Sequence, residues 1–134
     1  MPINFDSALG VHAKALEIRS QRAEMLAENM ANANTPGFKA RDVDFQQALK
    51  LANNQQTAMP VVKTQSGHGE LSTMKDVISP AVQYRTVMQA SLDGNTVDEQ
   101  IEQAQFMQNS LQYQVSLDWL GGNFNGLMKA IRGE

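Results

Sequence analysis

The sequence predicts a mainly α-helical protein in which long N- and C-terminal helices pair as an antiparallel coiled coil. An irregular middle segment, with a short helix and a candidate short β-hairpin, joins them. Apolar residues recur at helical spacing near both ends, the middle is rich in polar and turn-forming residues, and only 6% of the 134 residues are aromatic. Few aromatic side chains suit helices packed side by side better than a thick sheet-built core. The predicted parts are residues 1–33, 34–95 and 96–134.

The N-terminal helix is predicted over about residues 7–33. Large and small apolar side chains recur there every seven residues, which is the spacing of one face of a packed helix. This stripe and its neighbours comprise Leu9, Leu16, Ala23, Leu26 and Met30. Val11 and Ile18 lie off the stripe, on a second flank. The opposite face carries charged residues, so we expect it to face solvent.

The C-terminal helix has a start signal and two apolar stripes. Thr96 and Glu99 have the spacing of a capping box, in which each side chain bonds the other residue's backbone amide. The first stripe comprises Val97, Ile101, Ala104, Gln108, Leu111 and Val115. The second comprises Phe106, Ser110, Tyr113, Leu117, Leu120, Phe124, Leu127 and Ile131. Any helical hairpin needs one stripe for its own core, so the second predicts contact with another chain. Gly121-Gly122 is a candidate kink.

The segment Asn32-Ala-Asn-Thr-Pro-Gly-Phe-Lys39 is predicted to end the first helix in a tight turn. Asn34 is expected in the left-handed conformation that closes a helix, and Pro36 cannot continue one. Pro36 and Gly37 fit the two central positions of a type II turn, where glycine supplies the positive φ. Phe38 then offers an apolar anchor. The residues assigned to this joint are Asn32, Asn34, Thr35, Pro36, Gly37 and Phe38.

The middle segment gives weaker signals. Asp44 can start a short helix over about residues 44–53. Residues 53–80 are rich in Asn, Gln, Thr, Ser, Gly and Pro and are predicted to be a long loop. Residues 60–63 and 83–88 are candidate short strands. Asp93-Gly94-Asn95 is a turn signal. A long polar middle inside a small helical chain indicates a segment that is ordered by its neighbours rather than by its own core.

Composition and charge exclude several classes of function. The net charge is −3 and there is no run of Lys or Arg, so neither nucleic acid nor an anionic membrane surface is expected as a partner. No Cys is present, which excludes disulfides, thiolate metal sites and thiol catalysis. The sequence shows neither a secretory signal peptide nor an apolar stretch of about 18 residues that could span a membrane.

No arrangement of residues predicts catalysis. His12 and His68 are far apart, and His12 falls beside the helix stripe, which favours a helix-interface or surface role over a ligand role. Asp42 and Asp44 flank one residue in a turn region, where a turn and a helix cap are the expected roles. We therefore expect no enzyme activity, no cofactor, no metal and no small-molecule substrate.

The segment Ala31-Asn-Ala-Asn-Thr-Pro-Gly-Phe-Lys-Ala40, at the end of a heptad helix, resembles the signature of the bacterial flagellar axial proteins: rod, hook and related subunits. Its continuation to Phe45 is similar to the proximal rod members of that family. So are residues 93–98 and the block Asn109-Ser-Leu-Gln-Tyr-Gln114. The resemblance covers both ends of the chain and its length, and it is weakest over residues 54–80.

The resemblance implies a structural subunit of the flagellar rod that crosses the periplasm and transmits torque from the MS ring to the distal rod and hook. It implies terminal helices that line the inner tube, and export by the flagellar type III apparatus without a cleaved signal peptide. Phe5 and Leu9 could serve as an export-gate motif. The implied partners are copies of itself, the rod subunits FlgC and FlgF, the junction protein FliE, the MS-ring protein FliF and the export apparatus.

Two alternatives remain at this stage. One is another rod or hook-junction subunit of the FlgC type, for which the block at residues 109–114 is the discriminating feature. The other is a cytoplasmic helical adaptor or chaperone, which would need no export. The residues assigned to helix packing and assembly under the leading interpretation are Leu9, Leu16, Leu26, Met30, Ile101, Leu111, Val115, Leu117, Leu120, Phe124, Leu127 and Ile131.

Overall fold

Two long helices near the ends of the chain pack against each other and carry the remaining elements on one side. The computed structural model describes residues 5–55, 74–86 and 91–133. The elements in this part of the chain are α1 (Phe5–Ala31), β1 (Arg41–Val43), α2 (Phe45–Gln55), α3 (Met74–Ile78), a 3₁₀ turn (Ser79–Ala81), β2 (Val82–Tyr84) and α4 (Glu99–Arg132). The predicted mainly helical fold, with its long paired helices, short helix and two-stranded sheet, is confirmed.

Helix α1 contains a break that the sequence analysis did not predict. Gly10 has φ 41° and ψ −121°, which interrupts the helical backbone between two helical stretches. Glycine adopts this conformation without steric cost because it has no Cβ, which explains why the kink occurs at this residue. By contrast, α4 stays helical through the candidate kink at Gly121 and Gly122.

The capping box predicted at the start of α4 is wrong. Asp98 is the N-cap, and its side chain accepts hydrogen bonds from the backbone amides of Gln100 and Ile101. Thr96 is instead used in a long-range contact, because its Oγ1 accepts from the backbone amide of Ala40 at 2.8 Å. The helix therefore begins at Glu99, three residues after the predicted start at residue 96.

The middle segment forms a small sheet that joins residues far apart in sequence. Strands β1 and β2 are antiparallel, with Arg41 opposite Tyr84 and Val43 opposite Val82. The strand predicted over residues 83–88 is thus found in part, and its partner is β1, which lies between α1 and α2. The other candidate strand, at residues 60–63, lies outside the described residues. Asp44 caps α2 by accepting from the amide of Gln47 at 3.0 Å.

The main cluster of buried apolar residues lies between α1 and the middle segment. Its fully buried members include Ile18, Val43, Ala48, Ala52, Val77, Ile78 and Ala81. Ile18, which the heptad pattern placed off the main stripe, is among the largest of these, whereas Leu16 and Met30 are only half-buried. The described part of the middle segment thus contributes most of these buried residues, and it shares the core with its neighbour α1. Within the described ranges, no helix is both long and apolar enough to cross a membrane.

Candidate assembly interface

Helices α1 and α4 run antiparallel and are joined by polar and aromatic contacts along their length. The rings of His12 and Trp119 lie 4.3 Å apart near one end of the pair. Further along, Asn109 Nδ2 donates to the backbone carbonyl of Arg19 at 2.8 Å. At the other end, Asn29 Nδ2 donates to Glu102 Oε2 at 3.1 Å. His12 is therefore a helix-interface residue, in agreement with the sequence analysis.

The most buried residues of α4 are polar. Glu102 and Asn109 are each only 1% exposed, and no apolar residue of α4 is buried to this extent. Because a buried polar group is costly unless it is hydrogen-bonded, these two side chains fix which face of α4 meets α1. Phe106 and Leu120 of the second apolar stripe lie on the same side of α4 and are half-buried, so that stripe contributes to the interface in part.

Both apolar stripes of α4 are largely left on the surface. Leu111 and Val115 of the first stripe are 69% and 61% exposed. Nine residues separate Leu111 from Glu102, which at about 100° per residue places it on roughly the opposite side of the helix. We call this side, with Met107, Leu111 and Val115, the back stripe. In the second stripe Phe106 and Leu120 are half-buried, while the exposed members are Tyr113, Leu117, Phe124, Leu127 and Ile131.

A network of charged side chains ties both helices to the sheet. Arg22 binds Asp42 with two hydrogen bonds, of 2.7 and 2.9 Å. Arg85 bridges Asp42 at 2.8 Å and Glu102 at 2.6 Å. Glu102 completes the network through Asn29 on α1. Its two arginines and two carboxylates balance in charge, so the network joins α1, β1, β2 and α4 without a net buried charge.

The ionisation of Asp42 is coupled to this network. Burial acts to raise its pKa, but the hydrogen bonds from Arg22 and Arg85 outweigh it and hold the pKa below the ordinary value of 3.8. The hydrogen bond to Asp42 correspondingly raises the pKa of Arg22, against the effect of burial. Both shifts favour the charged pair over the neutral one.

We expect the stability of the protein to depend on Asp42 in acid. Because the pKa of Asp42 is lower in the folded chain than in the unfolded one, its contribution is present above about pH 4 and is lost as pH falls through the folded pKa. Urea unfolding at steps from pH 7 to pH 3 measures this, with Asp42→Asn as the comparison. The wild type should lose more stability over the acid steps than Asp42→Asn does; equal losses would contradict the coupling.

The segment after α1 forms the predicted turn, with one difference. The amide of Phe38 donates to the carbonyl of Thr35 at 3.3 Å, and Gly37 between them has φ 72°. Asn34 does not take the left-handed conformation predicted for it, because no non-glycine residue of the described part has positive φ. Asn32 lies at the helix end, where its amide donates to the carbonyls of Glu28 and Asn29 at 3.1 Å.

Asn95 closes α1, although it lies 60 or more residues away in sequence. Its Nδ2 lies within 2.8–3.1 Å of three carbonyl oxygens, those of Asn32, Ala33 and Thr35. These belong to the end of α1 and the turn after it, where carbonyls lack helical partners. The sequence analysis assigned Asn95 only to a local turn. Its position in a polar turn directly before a helix was the one available signal.

The same two segments are joined along their backbones. The amide of Gly37 donates to the carbonyl of Asp93 at 2.9 Å, and the amide of Thr96 donates to the carbonyl of Phe38 at 3.0 Å. Lys39 Nζ also donates to the carbonyl of Gly94 at 2.7 Å. The turn after α1 and the turn before α4 therefore form one unit, which we call the joint.

Asn95→Ala is expected to lower the free energy of unfolding by about 1–3 kcal/mol, because it leaves buried carbonyls of the joint without a donor. Asn34→Ala is the matched control: the same substitution at an exposed position of the same joint should change stability by less than about 0.5 kcal/mol. Urea denaturation followed by circular dichroism measures both. Equal effects of the two substitutions would contradict the role assigned to Asn95.

The structure leaves some assigned residues without a described role. Phe5 and Leu9 lie in α1, but their side chains fall outside the described residues. Leu26 is fully buried within the fold, so it supports the subunit itself rather than contacts with another chain. In the described ranges, no group of three or more His, Asp or Glu side chains is arranged to hold a metal ion.

Comparison with known proteins gives a consistent result. Residues 9–39 match the family model described as flagella basal body rod protein. The flagellar basal body rod protein FlgB of Aeromonas hydrophila is 47% identical, over 100% of this chain and 99% of its own length. The FlgB proteins of Salmonella typhimurium and Escherichia coli are 44% and 41% identical, over at least 94% of each chain. This chain belongs to the FlgB family of flagellar basal body rod proteins.

Proposed function

We propose that this protein assembles through the exposed apolar stripes of α4 into the proximal rod and transmits torque from the MS ring to the distal rod and hook. Its family makes it a structural subunit of the flagellar basal body rod, associated with other basal-body components, and not an enzyme. The finer points of the proposal concern how it assembles, what it touches and how it carries load.

One observation carries the proposal. Ten of the thirteen exposed large hydrophobic side chains in the described part of the chain lie on α4. Soluble monomers rarely expose a contiguous apolar surface of this kind, whereas subunits of an assembly bury it against their neighbours. The polar contact between α1 and α4 supports the same conclusion, because it leaves these side chains available to other chains.

The arrangement also suits torque transmission. Helix α4 has 34 residues, which at ~1.5 Å per residue gives a rod of about 50 Å. The charge network and the joint connect this rod to α1 and to the sheet, so the long elements move as one body. We infer that residues 1–33 and 96–134 form the coiled-coil inner layer of the rod, and that residues 34–95 form its outer segment.

The proposed neighbours follow from that position. They are copies of the chain itself, FlgC and FlgF on the distal side, and FliE and the MS-ring protein FliF on the proximal side.

The rod crosses the periplasm, so the chain must leave the cytoplasm. We propose export by the flagellar type III apparatus without a cleaved signal peptide, with Phe5 and Leu9 as its recognition residues. Pro36 and Gly37 would set the direction in which the outer segment leaves the inner layer.

Leu111→Asp tests the assembly surface. We expect a cell with this variant as its only copy to lose motility and to lack the chain in purified basal bodies, because a charge in a buried contact costs several kcal/mol. The folded subunit should be unaffected, because Leu111 is largely exposed within it. Swimming in soft agar, immunoblots of basal bodies and thermal melting of the purified chain provide the three readouts.

Gln100→Asp is the matched control, since it places the same charge at an exposed position in the first turn of α4, away from Leu111. It should swim and assemble at close to wild-type levels. Leu120→Asp is a poorer test, because Leu120 is half-buried in the subunit and its loss would also weaken the fold. Wild-type motility of Leu111→Asp would refute the proposal that the back stripe is an assembly surface.

A further inference from the structure

A groove between α1 and α4 lies on the side of α4 away from the back stripe. It encloses about 380 Å³ and is open to solvent along its length. Its lining includes Ser20, Ala23, Asn109, Ser110, Tyr113 and Leu117. Ser20 and Ala23 keep part of the α1 wall low, and Tyr113 and Leu117 of the α4 wall are exposed. The groove therefore has room for side chains from another helix.

The groove contains polar groups that the subunit leaves unsatisfied. Asn109 is 1% exposed, and its Oδ1 has no hydrogen-bond partner although its Nδ2 donates to α1. Arg19 also lines the groove, and its Nε is buried without a partner. A buried acceptor and a buried donor without hydrogen-bond partners lower the stability of an isolated subunit. A helix from a partner chain can supply the missing hydrogen bonds.

Arg19 also lacks a carboxylate partner. Its guanidinium bonds Gln112 and lies 4.3 Å from the ring of Phe45, and within the described residues it forms no salt bridge. Burial and the neighbouring Arg22 both lower its pKa, so its positive charge is not well compensated inside the subunit. A carboxylate from another chain would compensate it.

The back stripe carries such a carboxylate. Asp118 follows Leu111 by seven residues, or about two turns, and so lies on the same side of α4. It is exposed, and no hydrogen bond or salt bridge is found for it in the described part of the chain. The back stripe with Asp118 thus offers apolar groups and a negative charge, where the groove offers apolar walls and a positive charge.

A single subunit cannot bring these two surfaces together, because they lie on different sides of the same helix. A two-fold dimer would pair like with like and leave the other surface uncovered. Pairing of the back stripe of one copy with the groove of another covers both surfaces. Such a head-to-tail contact does not close on itself unless its rotation closes a ring, and repetition of it builds a helical array.

We propose, resting on the function proposed above, that the α1–α4 groove of one copy of this chain receives the back stripe of a second copy, with Asp118 of the second copy facing Arg19 of the first. The contact is heterologous, and it involves residues Met107, Leu111 and Val115 on one side and Ser20, Tyr113 and Leu117 on the other. Asn109 is the buried residue at the bottom of the groove.

Cysteine cross-linking tests this pairing cleanly, because the chain has no Cys of its own. Full-length Leu111→Cys and Ser20→Cys chains, one of them enlarged by a tag, are expressed together as the only copies in the cell. Basal bodies are oxidised, purified and run on a non-reducing gel. We expect a mixed product of one tagged and one untagged chain, and no Leu111→Cys dimer when that variant is expressed alone.

A Leu111→Cys dimer, cross-links to other proteins only, or no product despite the chain's presence in basal bodies would each overturn the pairing and leave the proposed function intact. Absence of both variants and of the wild-type chain from basal bodies would instead refute the proposed function. Charge reversal gives an independent measurement: Asp118→Arg and Arg19→Asp should each reduce swimming, and the combined variant should recover it. No recovery, with melting temperatures unchanged, would also overturn the pairing.

Discussion

Arg85→Leu is expected to lower the free energy of unfolding by about 3–5 kcal/mol, because it leaves a buried carboxylate without its cation. Glu102 is 1% exposed, and its Oε1 has Arg85 as its charged partner at 2.6 Å. After the substitution only the amide of Asn29 would remain on Glu102. Urea unfolding of the purified chain at pH 7 measures the loss.

Two further variants separate this effect from a general loss of an arginine. The double variant Arg85→Leu with Glu102→Leu should recover much of the stability, because it removes the unpaired charge and fills the site with apolar atoms. Arg41→Ala removes an arginine whose salt bridge to Glu28 is largely exposed, and it should cost less than about 1 kcal/mol. If Arg85→Leu were no more damaging than Arg41→Ala, the network would not be what holds α4 to the sheet.

The sequence allowed the helices to be predicted, but not the polar residues that are buried where they meet. Apolar spacing reveals a helix because its side chains repeat every 3.6 residues, and both long helices were found this way. The same reasoning assumes that the most buried residues of the contact are apolar. Here they are Glu102 and Asn109, because Arg85, Asn29 and the backbone of α1 satisfy them. Those partners are distant in sequence, so no local sequence pattern predicts them.

The sequence analysis also did not predict the buried residues that the middle segment contributes to the core. It is built largely from alanines such as Ala48, Ala52 and Ala81, which allow close approach but give little amphipathic signal. Ile18 packs there because α2 and the sheet cover that side of α1. At Thr96 a local hydrogen bond competes with a long-range one. A local capping box was available to it, but docking of the joint placed the amide of Ala40 within its reach.

Gly37→Val is expected to destabilise the subunit by about 2 kcal/mol or more and to abolish swimming. Gly37 has φ 72°, which costs a β-branched residue about 1–2 kcal/mol, and its amide bonds Asp93 at 2.9 Å. A Cβ at this position would meet no atom within 4 Å, so the cost is conformational rather than a clash. A turn that relaxes to negative φ would release the Asp93 carbonyl and open the joint between α1 and α4.

Gly37→Asn distinguishes this reason from a need for small size. Asn tolerates the left-handed conformation far better than Val does, so it should retain most of the stability and most of the motility. Gly122→Ala, in the helical interior of α4, should instead raise the stability of the isolated chain by about 1 kcal/mol, since glycine is the poorer helix former. Unfolding curves and soft-agar swimming measure all three variants. If Asn and Val were equally harmful at position 37, the positive φ would not be the property that the joint requires.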